Sequence, residues 1–201
     1  ALLVRRLVAR RAHERAKALV VSLPPESQSL ASGWYWMSLE RPKRAALNFE
    51  KVLQKDPSVE AAQVGLALAQ LDGESVDHLS TASRAIIQGG NFSRAGKWRA
   101  VQGLDTELAT IMPGTLLYRE AAQLRVAWRL ESKDPVRARE ALTLIDVLVA
   151  RDRSPGDLIL RAQAALLGGQ SDYAWASLSR LMGSLKPGRR SQELSRKGLK
   201  I

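Results

Sequence analysis

Apolar residues recur along most of this chain at intervals of three and four, the spacing that lines one face of an α-helix. Leu3, Leu7, Leu19 and Leu23 mark a first helix over residues 1–23, and Pro24-Pro25 ends it because proline cannot extend the hydrogen-bond ladder. From about residue 60, Ala62, Leu66, Ala67 and Leu71 form an apolar face, Asp72-Gly73-Glu74 a turn, and Leu79, Ala82 and Ile86 a further helix. Gly89-Gly90-Asn91 is expected to break the chain there. Ala95, Trp98, Val101, Leu104, Leu108 and Ile111 predict one amphipathic helix before the loop Pro113-Gly114-Thr115, with Thr115 as cap for the next helix. Leu116, Ala121, Leu124, Ala127 and Trp128 belong to that helix. Asp134-Pro135 opens another as cap and first-turn proline, with Ala138, Leu142, Ile145 and Leu148 facing the core. Ser154-Pro155 separates it from Leu158, Ala162, Ala165 and Leu166, which Gly168-Gly169 stops; Tyr173, Ala174, Leu178 and Leu181 build its partner. No segment alternates apolar and polar with period two, so a sheet is not expected.

One stretch carries more than periodicity. Gly33, Trp36, Ala45, Phe49 and Pro57 follow one another at spacings of 3, 9, 4 and 8. A small residue lets the first helix approach the second, Ala45 sits at their crossing, Trp36 and Phe49 fill the space beside it, and Pro57 ends the unit. Arg41-Pro42-Lys43 is the turn between the two helices. Over residues 26–59 this pattern resembles one tetratricopeptide repeat. The next unit is degenerate, with Ser83 where the family has an aromatic. The resemblance implies an all-α, tetratricopeptide-like stack of antiparallel helical hairpins, about nine helices in a right-handed solenoid. The expected organisation is a basic N-terminal helix over residues 1–25, a repeat domain over 26–182 and a basic tail over 183–201.

Composition adds direction. The 201 residues are 45% hydrophobic and 25% charged, enough for a real core. Ala, Leu, Arg, Gln and Glu dominate, and all favour helix. The absence of cysteine excludes disulfides, zinc ribbons and thiol catalysis. No apolar run approaches the ~18 residues of a membrane span. The chain opens on Ala1 and not on Met, which points to a removed leader or a trimmed larger protein. Its net charge of +11 is uneven. Residues 1–56 hold eleven Lys/Arg against five Asp/Glu, residues 57–150 ten against eleven, and residues 151–201 ten against four. The basic ends favour acidic partners or anionic surfaces, with Arg10, Arg11, Arg189 and Arg190 as candidate contacts.

Catalytic chemistry finds little support. The two histidines, His13 and His78, lack the company of carboxylates and further histidines that a metal site needs. Asp77 and His78 have no nucleophile elbow to serve. The Gly90-to-Lys97 stretch is one residue too long for a phosphate loop, and Trp98 stands where Ser or Thr would hold magnesium. Asn91-Phe92-Ser93 is a glycosylation sequon by pattern only. No catalytic residue, metal or cofactor is therefore expected.

The remaining expectation is protein binding. Trp34 lies two residues before Trp36 and so points to a different helical face. In tetratricopeptide proteins that face lines the concave groove, which would place Leu30, Trp34 and Met37 there from the first unit and Val64, Leu68 and Leu71 from the second. A cap formed by the N-terminal helix over the same residues is the competing arrangement. Pro113-Gly114-Thr115-Leu116, followed by Glu120-Ala121-Ala122 and Leu124-Arg125, is similar to a stretch in the family of periplasmic motility proteins of rhizobia and related α-proteobacteria. That resemblance implies a periplasmic scaffold supporting a flagellar stator protein, with no active-site residue. A repeat segment of a polysaccharide export protein is a second envelope expectation. A nucleic-acid-binding helical repeat using the basic ends is a third, but the basic residues do not recur once per repeat as a base-by-base reader requires.

Overall fold

The computed structural model describes residues 1–70 and 79–184, and every regular element among them is an α-helix. The elements are α1 (Leu2–Ala9), α2 (His13–Ser22), α3 (Pro25–Ser38), α4 (Pro42–Lys55), α5 (Glu60–Gln70) and α6 (Thr81–Arg94). There follow α7 (Trp98–Gln102), α8 (Asp105–Ala109), α9 (Tyr118–Glu131), α10 (Pro135–Arg151), α11 (Pro155–Leu167) and α12 (Ser171–Ser184). These twelve among the described residues exceed the nine or so expected, in part because two predicted helices are each split. Residues 1–23 divide at Arg11, whose φ of 59° reverses the chain while the Ala12 N–H reaches back to the Leu7 carbonyl at 2.8 Å. The single helix expected over 95–111 is two short ones, α7 and α8, joined through Gly103 and Leu104.

Other boundaries follow the sequence closely. Pro25, Pro42, Pro135 and Pro155 each occupy a first turn, where their missing N–H costs nothing. Asp134 accepts from the Val136 N–H at 2.9 Å, and Ser154 accepts from Asp157 N–H at 3.2 Å. Gly169, with φ 76°, closes α11 as expected. Two expectations fail. Gly89 and Gly90 do not break the chain, since α6 runs on to Arg94. They stay helical because they let neighbours come close: a Cβ on Gly89 would lie 3.1 Å from Leu124 Cδ1, and one on Gly90 3.2 Å from Leu68 Cδ2. Thr115 does not cap α9, whose N-cap is Leu117; its hydroxyl donates to the Met112 carbonyl at 2.9 Å instead.

Most helices adjacent in sequence pack on one another, and α3 also touches α5, α6 touches α9, and α9 touches α11. The chain is thus a helical stack. Its core falls into three clusters. Val4, Val8, Ala16 and Ala31 join α1, α2 and α3. Trp34, Phe49, Val64, Ile86 and Leu108 fill the space between α3 and α8. Val126, Ile145, Leu158 and Leu181 serve α9 to α12. Phe49 is the pivot of the second cluster. Its ring lies edge-on to Trp34, centroids 5.4 Å apart, and between two helical glycines. A Cβ on Gly33 or on Gly65 would come within 2.4 Å of that ring. α12 ends at Ser184, and the rest of the expected basic tail lies outside the described residues.

Candidate functional site

An apolar opening lies where α5, α6, α9 and α11 meet, a cleft of about 460 Å³ open to solvent. Leu68 comes from α5, Ile86 and Gly90 from α6, Leu124 and Ala127 from α9, and Ile159 and Leu160 from α11. Helical periodicity places them: Leu124 and Ala127 are three apart, and Leu160 and Gln163 likewise, so each pair shares a face. Ser93, Glu120, Gln123 and Gln163 add polar groups to the walls. The floor is apolar with a few polar groups at its edges, and Gly90 brings α6 close to Leu68 beside it.

A chain of ion pairs fixes one side of this cleft. Arg119 on α9 donates to Asp152 Oδ2 at 2.7 Å, to Asp157 Oδ2 at 2.5 Å and to Ser154 Oγ at 3.3 Å. Gln123 Nε2 donates to the other oxygen of Asp157 at 2.9 Å. Asp157 is wholly buried, and these partners are what make its burial tolerable. Burial works against the charge on Arg119, but Asp157 and Asp152 outweigh it and hold its pKa above the ordinary arginine value. The network thereby locks the start of α9 to the α10–α11 turn and sets the angle of the cleft wall.

The start of α9 is also tied to α1. Arg5 is 7% exposed, donates to the Leu116 carbonyl at 2.7 Å and forms a two-pronged pair with Glu120. Its guanidinium also lies 4.6 Å above the Trp34 ring. One side chain therefore ties α1 to α3 and to α9. The ion pair of Asp105 with Arg125 and Arg129, at 2.8 to 3.0 Å, anchors α8 beneath α9 in the same manner.

The expected groove residues are dispersed by this arrangement. Trp34 and Val64 are fully buried in the core, so neither lines an open surface; α1 covers Trp34 through Arg5, as the competing cap arrangement requires. Leu30 and Met37 are half-buried against the same core. Leu68 is the one expected residue that reaches the cleft, and Leu71 lies outside the described residues. Among the expected anionic-surface contacts, Arg10 is exposed with Nη2 donating to the Arg151 carbonyl at 2.7 Å, and Arg11 is half-buried beside it. Arg189 and Arg190, like His78, lie outside the described residues. The cleft residues on α9 and α11 were missed because nothing in their local pattern separates a core-facing leucine from a cleft-facing one. Among the described residues no group of three His, Asp or Glu side chains is placed to hold a metal ion, and no helix is long and apolar enough to cross a membrane.

No family model, no curated protein and no solved structure matches this chain.

Proposed function

We propose that this chain is a non-catalytic, tetratricopeptide-like scaffold, a right-handed stack of antiparallel hairpins that binds another protein in the cleft between α5, α6, α9 and α11. The observation that carries the reading is the cleft itself. Its floor of Leu68, Leu124, Ile159 and Leu160 is apolar, and Ser93, Gln123 and Gln163 can accept or donate along its edges. Its occupant is an amphipathic helix of the partner. α1 supplies the precedent on the neighbouring surface, where a helix carrying arginine is received by Trp34, the Leu116 carbonyl and Glu120.

The packing order supports the fold part of this proposal. α3 with α4, α9 with α10, and α11 with α12 are close pairs, and α3 with α5 and α9 with α11 make the secondary contacts of first helices in successive units. The Gly33–Phe49–Gly65 sandwich puts small and aromatic residues where such a unit needs them.

The test is substitution inside the cleft at positions that are only partly buried. Gln163→Arg places a charge at the edge of the apolar floor, and Leu160→Ala removes apolar area from it. Both variants are expected to keep wild-type helicity by circular dichroism and to lose retention of the partner. Unchanged retention by both, with Gly90→Leu also neutral, would remove the cleft from the account.

A further inference from the structure

Among the described residues, Arg11, Glu40, Lys133 and Arg153 hold left-handed backbone without being glycine, with φ between 49° and 59°. Each lies between two helices. Three are followed two positions later by proline, in Glu40-Arg41-Pro42, Lys133-Asp134-Pro135 and Arg153-Ser154-Pro155. Proline inside a helix loses a hydrogen bond and clashes with the preceding turn, so those three connections cannot straighten into one helix. Arg11 is followed by Ala12-His13 and has no such lock. We propose that this turn opens, that α1 and α2 become one helix over residues 2–22, and that α1 then docks on a second copy of this chain. The exchange does not depend on the α5–α6–α9–α11 cleft or its occupant.

Local preference favours the open form. A left-handed φ costs a side-chain-bearing residue energy that the right-handed helix does not. Ala9-Arg10-Arg11-Ala12 are residues of high helix propensity, and residues 1–23 carry neither glycine nor proline. The apolar spacing of Leu3, Leu7, Leu19 and Leu23 points to one helix for the same reason. In the turn, the Ala12 N–H donates to the Leu7 carbonyl; in the straightened helix it donates to that of Val8, so the bond is exchanged and not lost. The opened helix is about 30 Å long and carries α1 away from its own seat.

A second copy offers α1 the same seat. Arg5 pairs with both oxygens of Glu120, donates to the Leu116 carbonyl and lies over the Trp34 ring. Arg6 Nε faces Asp152 Oδ1 at 3.8 Å. Val4 and Val8 pack with Ala16 and Ala31. Every one of these partners lies beyond the turn, so each copy carries an intact seat for the other copy's α1. Two copies that exchange α1 regain the contacts each gives up, in a closed two-fold pair. The pair also relieves two left-handed arginines, and strained short hinges are where such exchange arises. Its cost is the entropy of association, which protein concentration offsets.

The experiment is sedimentation of the whole chain across a wide concentration range. Monomer is expected to give way to dimer as concentration rises. His13→Pro installs the missing lock at an exposed first helical position, where the closed form tolerates proline. It is expected to leave monomer alone at every concentration. Arg11→Gly eases the closed turn and weakens the open helix, and is expected to raise the dimer dissociation constant about tenfold. Circular dichroism checks that both variants keep wild-type helicity. A charge exchange then separates swapping from side-by-side association. Arg5→Glu and Glu120→Arg each set like charges together, whether the chain closes on itself or pairs with its own kind. In a swapped pair of the two variants, one seat holds the native ion pair and the other the reversed one. Native mass spectrometry of an equimolar mixture is expected to show the heterodimer in about tenfold excess over either homodimer. No dimer of the wild-type chain, a dimer unchanged by His13→Pro, or a statistical ratio of pairs in the mixture would overturn the proposal.

Discussion

Phe49 lies between α3 and α5 because residues 33 and 65 carry no side chain. Adding a methyl group at either place would put carbon 2.4 Å from the ring, where the ring must move and has buried neighbours on every side. Gly33→Ala and Gly65→Ala are each expected to cost about 1–3 kcal/mol, the usual penalty for overpacking a filled core. Urea unfolding measures this, and the cost of Gly33→Ala should fall in a Phe49→Leu background, where the ring is gone. Phe49 and Gly33 were readable in sequence from their spacing, whereas Gly65 was not, because it falls in a degenerate unit with no aromatic to mark the register. A charged residue gives a second prediction at this scale. Burial would raise the pKa of Asp105, but hydrogen bonds from Arg129 and Arg125 prevail and hold it below the ordinary carboxylate value. A depressed folded-state pKa contributes stability above the unfolded value of about 3.9, and that contribution fades as pH falls through the folded pKa. Wild type should therefore exceed Asp105→Asn in stability near neutral pH, with the gap closing below about pH 4 in a urea series.

Helix ends show how much of the fold the sequence declares. Four connections turn through a left-handed residue, at Arg11, Glu40, Gly96 and Gly169, and in each the N–H of the next residue donates to the carbonyl five residues before it. The two glycines signal such a turn by their type; Arg11 and Glu40 do not, and so the division of residues 1–23 into α1 and α2 was invisible. The reverse error arose at Gly89-Gly90, where glycine serves close packing against Leu124 and Leu68 and not a turn. Composition alone cannot separate these uses, since both exploit the missing Cβ. The placement of α1 belongs to this scale too. It rests on Arg5, which bridges to Glu120 across 115 residues of sequence, a contact no local pattern encodes. Arg5→Ala removes a nearly buried charge and leaves Glu120 without its partner, so a loss of about 3 kcal/mol is expected. In a double-mutant cycle with Glu120→Gln, the combined loss should be smaller than the sum of the two.

At the scale of the molecule, helix content and stacking order were legible because apolar spacing repeats through the whole chain. The binding surface was less so. The expected groove was assigned by family register, and α1 occupies the face on which that register placed Trp34. The open cleft lies further along the stack and is assembled from four helices, with Leu68 alone shared by the two sets. Trp34 and Val64, like Ile86 beneath the cleft, have no exposed surface and offer a partner nothing until the core opens. In the proposed function the α5–α6–α9–α11 cleft receives an amphipathic helix of another protein. The most direct test replaces Gln163 with a photo-reactive amino acid, cross-links in native extract and maps the joined residue by mass spectrometry. The account predicts a cross-link to the apolar stripe of a helical segment, competed by a peptide of that sequence and absent when the same group is placed at Lys43. Equal labelling from both positions, or none from Gln163, would contradict it.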